Sequence, residues 1–186
     1  MAAKKNDDGR LPDGYGRDAA PRRQRGALLY YLGLGSNLGD RRRHLDDAAA
    51  FLSRCGRVVK RSAVYETTPQ GMPGAGLFYN QVLALETPLQ PAALLARCKE
   101  HEASRGRDLG RSHYRDRAID IDILLAGDLV VATPELTVPH PRLAGRGFAL
   151  VPLFEIAPKL VHPQEKVTIA RLLSRLPGGE TIRRLE

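Results

Sequence analysis

Asp120 and Asp122 stand one residue apart in Arg117-Ala118-Ile119-Asp120-Ile121-Asp122-Ile123-Leu124-Leu125, a run otherwise suited to a buried strand. On a strand, alternate side chains share a face. Both carboxylates therefore point one way, and Ile119, Ile121 and Ile123 point the other. Their Cα atoms would lie roughly 6 to 7 Å apart. Two anions at that spacing repel, and partial burial raises their pKa values unless cations sit beside them. Hard, oxygen-liganded ions such as Mg²⁺ are the natural partners.

The chemistry around the pair is complementary to polyphosphate. Gly106 to Arg117 is a glycine-punctuated loop with four arginines, whose guanidiniums could clamp phosphate oxygens that a metal holds from the other side. His140 lies between Pro139 and Pro141 in a stretch that cannot be helical, which presents its ring rigidly as a hydrogen-bond donor. Asn80 shares a strand face with Phe78 and Val82, a polar amide on an apolar stripe. It is either a satisfied core residue or a reader of a ligand. Gly33-Leu34-Gly35-Ser36-Asn37-Leu38-Gly39-Asp40 has the spacing G-x-G-x-x-x-G with no Gly-Lys-Ser/Thr after it. That matches neither dinucleotide nor P-loop fingerprints, so a plain turn is as good a reading as a phosphate cradle.

The elements that must position these groups follow from periodicity. Strands are expected at 28–34, 58–65, 78–85, 117–125 and 181–185. Gly127-Asp128 would turn the 117–125 strand into a hairpin with 129–131. Helical spacing covers about 40–54, 91–107, where Pro91 suits a first turn, and 164–176. Arg146-Gly147-Phe148-Ala149-Leu150-Val151 resembles half of an RNA-recognition signature, which would place it on a strand. Leu150 and Leu153 stand where stacking aromatics belong, and Pro152 would break a central strand.

Residues 1–26 hold seven Lys or Arg, four Asp and few large apolar groups, so a disordered basic extension is expected there. It accounts for +3 of the net +8, leaving +5 on the remaining 160 residues. That balance suits a phosphate-rich small ligand as well as nucleic acid. The 186 residues, 42% hydrophobic, suit one domain over 27–186. The absence of a signal peptide or an apolar run long enough to span a bilayer points to a cytoplasmic protein with no membrane role. Cys55 and Cys98 fit neither a disulfide framework nor a metal knuckle and read as core or surface thiols.

Taken in order, GLGSNLGD, YETTPQG, FYNQV, RAIDIDILLAGD, VPHPR and RGFALVPLFEIAP resemble the 6-hydroxymethyl-7,8-dihydropterin pyrophosphokinase family over about residues 28–176. The resemblance implies an α+β fold, a single ferredoxin-like antiparallel sheet covered by helices in three α/β/α layers. It implies transfer of diphosphate from ATP to the pterin hydroxymethyl in folate biosynthesis, releasing AMP, by in-line attack on the β-phosphorus. Asp120 and Asp122 would hold two Mg²⁺ ions. Arg107 and Arg117 would join them in catalysis and, with Glu102, Ile123, His140 and Arg146, bind ATP. Thr67, Gln70, Phe78, Asn80, Tyr114 and Phe148 would form the pterin site. A monomer acting on these small molecules, without nucleic acid, is expected. The alternative is a non-catalytic anion- or RNA-binding module on the same scaffold, which would bind RNA without Mg²⁺ and with steep salt dependence.

Overall fold

The structure is a computed structural model that describes residues 26–70, 74–106, 116–177 and 179–185. The expected N-terminal extension, apart from Gly26, lies outside the described residues.

The core is a split βαβ arrangement used twice. Strand β1 (Leu28–Ser36) leads into helix α1 (Arg41–Cys55), then β2 (Arg57–Arg61), β3 (Tyr65–Thr67) and β4 (Phe78–Thr87). Helix α2 (Pro91–Ser104) returns the chain to β5 (Asp120–Ala126). The order across the sheet is β5-β1-β4-β3-β8, with β2 also on β4 and β8 (Ile182–Arg184) outermost; all pairings are antiparallel. If β2 and β3 are counted as one broken strand, this is the ferredoxin-like order. Helices α1 and α2 pack on one face through Leu45, Ala48, Leu52, Leu94 and Cys98. Helix α3 (Gly147–Ile156) and the short α4 (Ile169–Leu173) pack on the other through Leu150, Leu153, Ile169 and Leu172. The expected three layers are present.

The caps are local in origin. Asp40 accepts from Arg43 N–H to start α1, and Thr168 does the same for α4 through Arg171 N–H. Both cysteines are free. Cys98 is fully buried, and that burial pushes its thiol up to about 12.

Three expectations are corrected. The strand expected at 58–65 is split, because Ser62 takes over the ladder: its Oγ accepts from Val82 N–H and its own N–H donates to Val82 O. The hairpin after β5 does not form. Instead β6 (Val131–Ala132) pairs with β7 (Thr137–Val138), while Gly127, at φ 53°, turns back to donate to Leu29 O. The segment after Arg146 is helix α3, because Ala149, Leu150, Leu153 and Ile156 recur at helical spacing and meet the sheet. The helix agrees with Pro152, which argues against the strand that an RNA-recognition signature would need. Finally, β1 continues through Gly33 and Gly35 to Ser36, so these glycines belong to the sheet and only Gly39, at φ 63°, belongs to the turn.

Candidate active site

The α3 face of the sheet is left open at one end, where a cleft of about 720 Å³ is lined by strands, α3 and the loops between them. Register explains its floor. Gly35 is paired with Asn80 on one side and Asp120 on the other, and Gly33 likewise with Val82 and Asp122. Directly opposed residues share a face, so each aspartate is separated from β4 by a glycine that adds no side chain to the floor. A Cβ on Gly35 would stand 3.2 Å from Asn80 Oδ1, and one on Gly33 would lie 3.4 Å from Leu124.

The carboxylate end combines three elements. Strand β5 aims Asp120 and Asp122 into the cleft and buries Ile121 and Ile123 beneath, as its alternation requires. Arg117 binds Asp120 through Nη1. Arg146 Nη1 lies 3.4 Å from Asp122 Oδ2 and 3.4 Å from His140 Nε2, with His140 Nε2 3.9 Å from the same carboxylate oxygen. Burial first, and then the charge of Asp120, push the Asp122 carboxyl up, against the pull of His140, Arg146 and Lys99. Burial pushes the His140 ring down, with Asp122 opposing. His140 Nδ1 accepts from Arg142 N–H at 3.1 Å. In the neutral ring the proton is then on Nε2, which faces Asp122.

The loop entering β5 is anchored by Asn37, which no part of the sequence argument singled out. Its Oδ1 accepts from Arg117 N–H at 2.8 Å, its Nδ2 donates to Asp116 Oδ1 at 2.6 Å, and its N–H donates to Arg117 O at 3.2 Å. The open side of β5, the edge of the sheet among the described residues, is also covered. Glu102 Oε1 accepts from Ile121 N–H at 2.6 Å, and Leu124 O accepts from His140 N–H at 2.9 Å. Edge groups that would otherwise be unpaired are thereby satisfied by segments that themselves carry site residues.

Another part of the cleft carries aromatic and amide side chains. Phe78, Phe148, Thr67, Gln70 and Asn80 line it. Asn80 is buried, and its Nδ2 donates to Thr67 Oγ1 at 2.7 Å. That bond orients the amide and leaves Oδ1 beside Gly35 as an acceptor over the floor.

The structure thus brings Thr67, Gln70, Phe78, Asn80, Arg117, Asp120, Asp122, Arg146 and Phe148 into one cleft, with His140 against Asp122. Two other residues expected to bind ATP do not line the cleft. The Ile123 side chain is in the core, because its strand position faces away from the aspartates. Glu102 is fully buried beneath β5, and its Oε2 accepts from Lys99 Nζ at 2.9 Å. Arg107 and Tyr114 lie outside the described residues. Lys99 and Arg142 line the cleft as well. Helical spacing from Glu102 could have suggested Lys99; nothing local marked Gly33 or Gly35 as floor residues.

Among the described residues no three His, Cys, Asp or Glu side chains form a ready cation cage, and no helix is long and apolar enough to cross a membrane. Residues 31–158 match the model of the family described as 7,8-dihydro-6-hydroxymethylpterin-pyrophosphokinase. A 2-amino-4-hydroxy-6-hydroxymethyldihydropteridine pyrophosphokinase of Aquifex aeolicus is 44% identical over 133 residues, covering 72% of this chain and 82% of that protein. Its counterpart in Porphyromonas gingivalis is 42% identical over 140 residues, covering 73% and 95%. The Dictyostelium discoideum folic acid synthesis protein FOL1 is 35% identical over 157 residues, 84% of this chain but 24% of that protein. A Plasmodium falciparum HPPK-DHPS crystal structure superposes with a TM-score of 0.65 at 16% identity, covering 80% of this chain and 44% of that one. This chain therefore spans less than half of that longer protein, and at such identity the superposition shows the fold alone. The family match and the identities above, over a cleft of this composition, mean that the chain belongs to the 7,8-dihydro-6-hydroxymethylpterin-pyrophosphokinase family of ATP-dependent diphosphotransferases.

Proposed function

We propose that the cleft transfers the β,γ-diphosphate of ATP to the hydroxymethyl group of 6-hydroxymethyl-7,8-dihydropterin. The hydroxyl oxygen attacks the β-phosphorus in line, the bond from that phosphorus to the α,β-bridging oxygen breaks, AMP leaves with the electron pair, and the hydroxyl proton is released. One observation carries this reading: a carboxylate pair flanked by cations and a set of aromatic and amide side chains line a single cleft.

The residues present fit Mg²⁺. Two carboxylates share a face, and their mutual repulsion contributes to the raised Asp122 carboxyl. A site that supplies one or two carboxylates and leaves the other ligand positions to phosphate oxygens and water is typical for this ion. Two Mg²⁺ ions bound at Asp120 and Asp122 would neutralise charge along the polyphosphate and acidify the attacking hydroxyl.

The protein's own groups do the rest. Arg117 and Arg146 rest on the aspartates in this structure; with those carboxylates holding Mg²⁺, both guanidiniums would be free to clamp phosphate oxygens, and Arg107 would join them. The Nε2–H of His140 donates to the same end. The pterin ring lies between Phe78 and Phe148, Tyr114 covers it, and Asn80 Oδ1 accepts from a ring-edge N–H. Stacking supplies affinity and the edge contacts supply selectivity. Catalysis on this reading is mainly positioning and charge stabilisation.

The test is direct. Purified protein with ATP, Mg²⁺ and the hydroxymethyl-dihydropterin should release AMP and the pterin diphosphate, and chelation should stop it. Release of ADP, or no product, overturns the reading. Asp122→Ala should lower kcat by about 10²-fold or more while pterin affinity stays within about threefold, since the pterin contacts are made by other residues.

A further inference from the structure

We propose that Glu180, in the C-terminal segment, is a positioning residue that holds Gln70 and Phe148 at the pterin end of the cleft; this rests on the pterin reading above. Glu180 does not itself line the cleft. Its Oε2 accepts from Phe148 N–H at 3.0 Å, and its Oε1 accepts from the Gln70 side-chain amide, 110 residues away in sequence. One carboxylate therefore ties the backbone that carries the Phe148 ring to the Gln70 side-chain amide on another wall of the pocket.

The approach is built rather than incidental. Helix α3 begins at Gly147 with Arg146 at its N-cap, and a guanidinium has no acceptor to offer the first-turn N–H groups. Glu180 provides the missing acceptor and places a negative charge at the positive end of the helix. Gly147 makes this possible, since a Cβ there would collide with the Glu180 carboxylate and with Ile182. The backbone on either side is fixed to the same wall. Thr68 N–H donates to Thr181 O at 3.2 Å, and Thr67 pairs with Ile182 across β3 and β8. The family match stops at residue 158, so this support comes from sequence outside it.

Steady-state kinetics on the full chain test the proposal. Glu180→Ala should raise the pterin KM about tenfold, the loss expected for charge-assisted hydrogen bonds, with the ATP KM and kcat within about twofold. Glu180→Gln keeps an oxygen for Phe148 N–H and should raise the pterin KM only about threefold. A folded Glu180→Ala with an unchanged pterin KM, or with both KM values raised alike, overturns the assignment. Should the Ala variant not fold, the Gln variant decides: a selective rise in pterin KM supports it and no rise overturns it. A wild-type protein that turns over no pterin removes the underlying reading instead, a result distinct from any of these.

Discussion

Replacing Glu102 by Ala should destabilise the protein and loosen the aspartate pair, although Glu102 does not line the cleft. The carboxylate is fully buried, accepts Ile121 N–H at 2.6 Å and accepts Lys99 Nζ at 2.9 Å. Removing it leaves a buried peptide N–H at the sheet edge without its acceptor, which costs about 1–3 kcal/mol. It also strips Lys99 of its partner. Because the Lys99 side chain is 34% exposed, water can solvate the ammonium, and that loss adds only about 0–1 kcal/mol. The sum is about 1–4 kcal/mol. Glu102→Gln retains an oxygen for Ile121 N–H and should cost about 1 kcal/mol. Urea unfolding midpoints at constant slope measure both. Ile121 lies between Asp120 and Asp122, so the Ala variant should also need more Mg²⁺ for half-maximal rate than the Gln variant. If Ala falls within about 0.5 kcal/mol of wild type, or if Gln is as damaging as Ala, the edge hydrogen bond is not what holds this strand.

Two other perturbations have definite signs. Gly35→Ala would put a methyl group into the cleft floor 3.2 Å from Asn80 Oδ1; it should raise the pterin KM about tenfold, with little change in unfolding midpoint or ATP KM, and a uniform loss of both affinities would argue against a glycine floor. Burial holds the His162 and His101 rings below their ordinary value. The unfolded chain therefore takes up more protons below about pH 6.5. The stability these rings allow is complete above that pH and is lost as pH falls toward their folded values. His162 Nδ1 accepts from Gln164 and Glu165 N–H, so His162→Asn, which keeps an acceptor, should flatten the dependence of the urea midpoint on pH below about 6.5; an unchanged slope would show that other groups set it.

Much of the site was legible because its determinants are local. The two-residue period of β5 puts Asp120 and Asp122 on one face whatever surrounds them, and the same period sets Asn80 beside Phe78. Helical spacing and Pro91 located α2, and the prolines around His140 ruled out a helix there. The misreadings arose where a short pattern had two local solutions. Gly-x-Gly could be a turn or a flat strand, and pairing on both sides made it a strand. Around Pro152, which already counted against a strand, packing against Val82, Ala84 and Leu124 selected helix α3.

The order of motifs and the alternation of side chains thus determined, without any structure, the carboxylate pair, the candidate clamp and the family resemblance. Only the tertiary structure decided that Gly33 and Gly35 separate those carboxylates from Asn80 and Val82, that Glu102 and Asn37 hold the start of β5, and that Glu180 joins Gln70 to Phe148. The physical reason is register. A side chain's face is set by its own strand, but its neighbour is set by how distant segments align, and no local periodicity encodes that alignment.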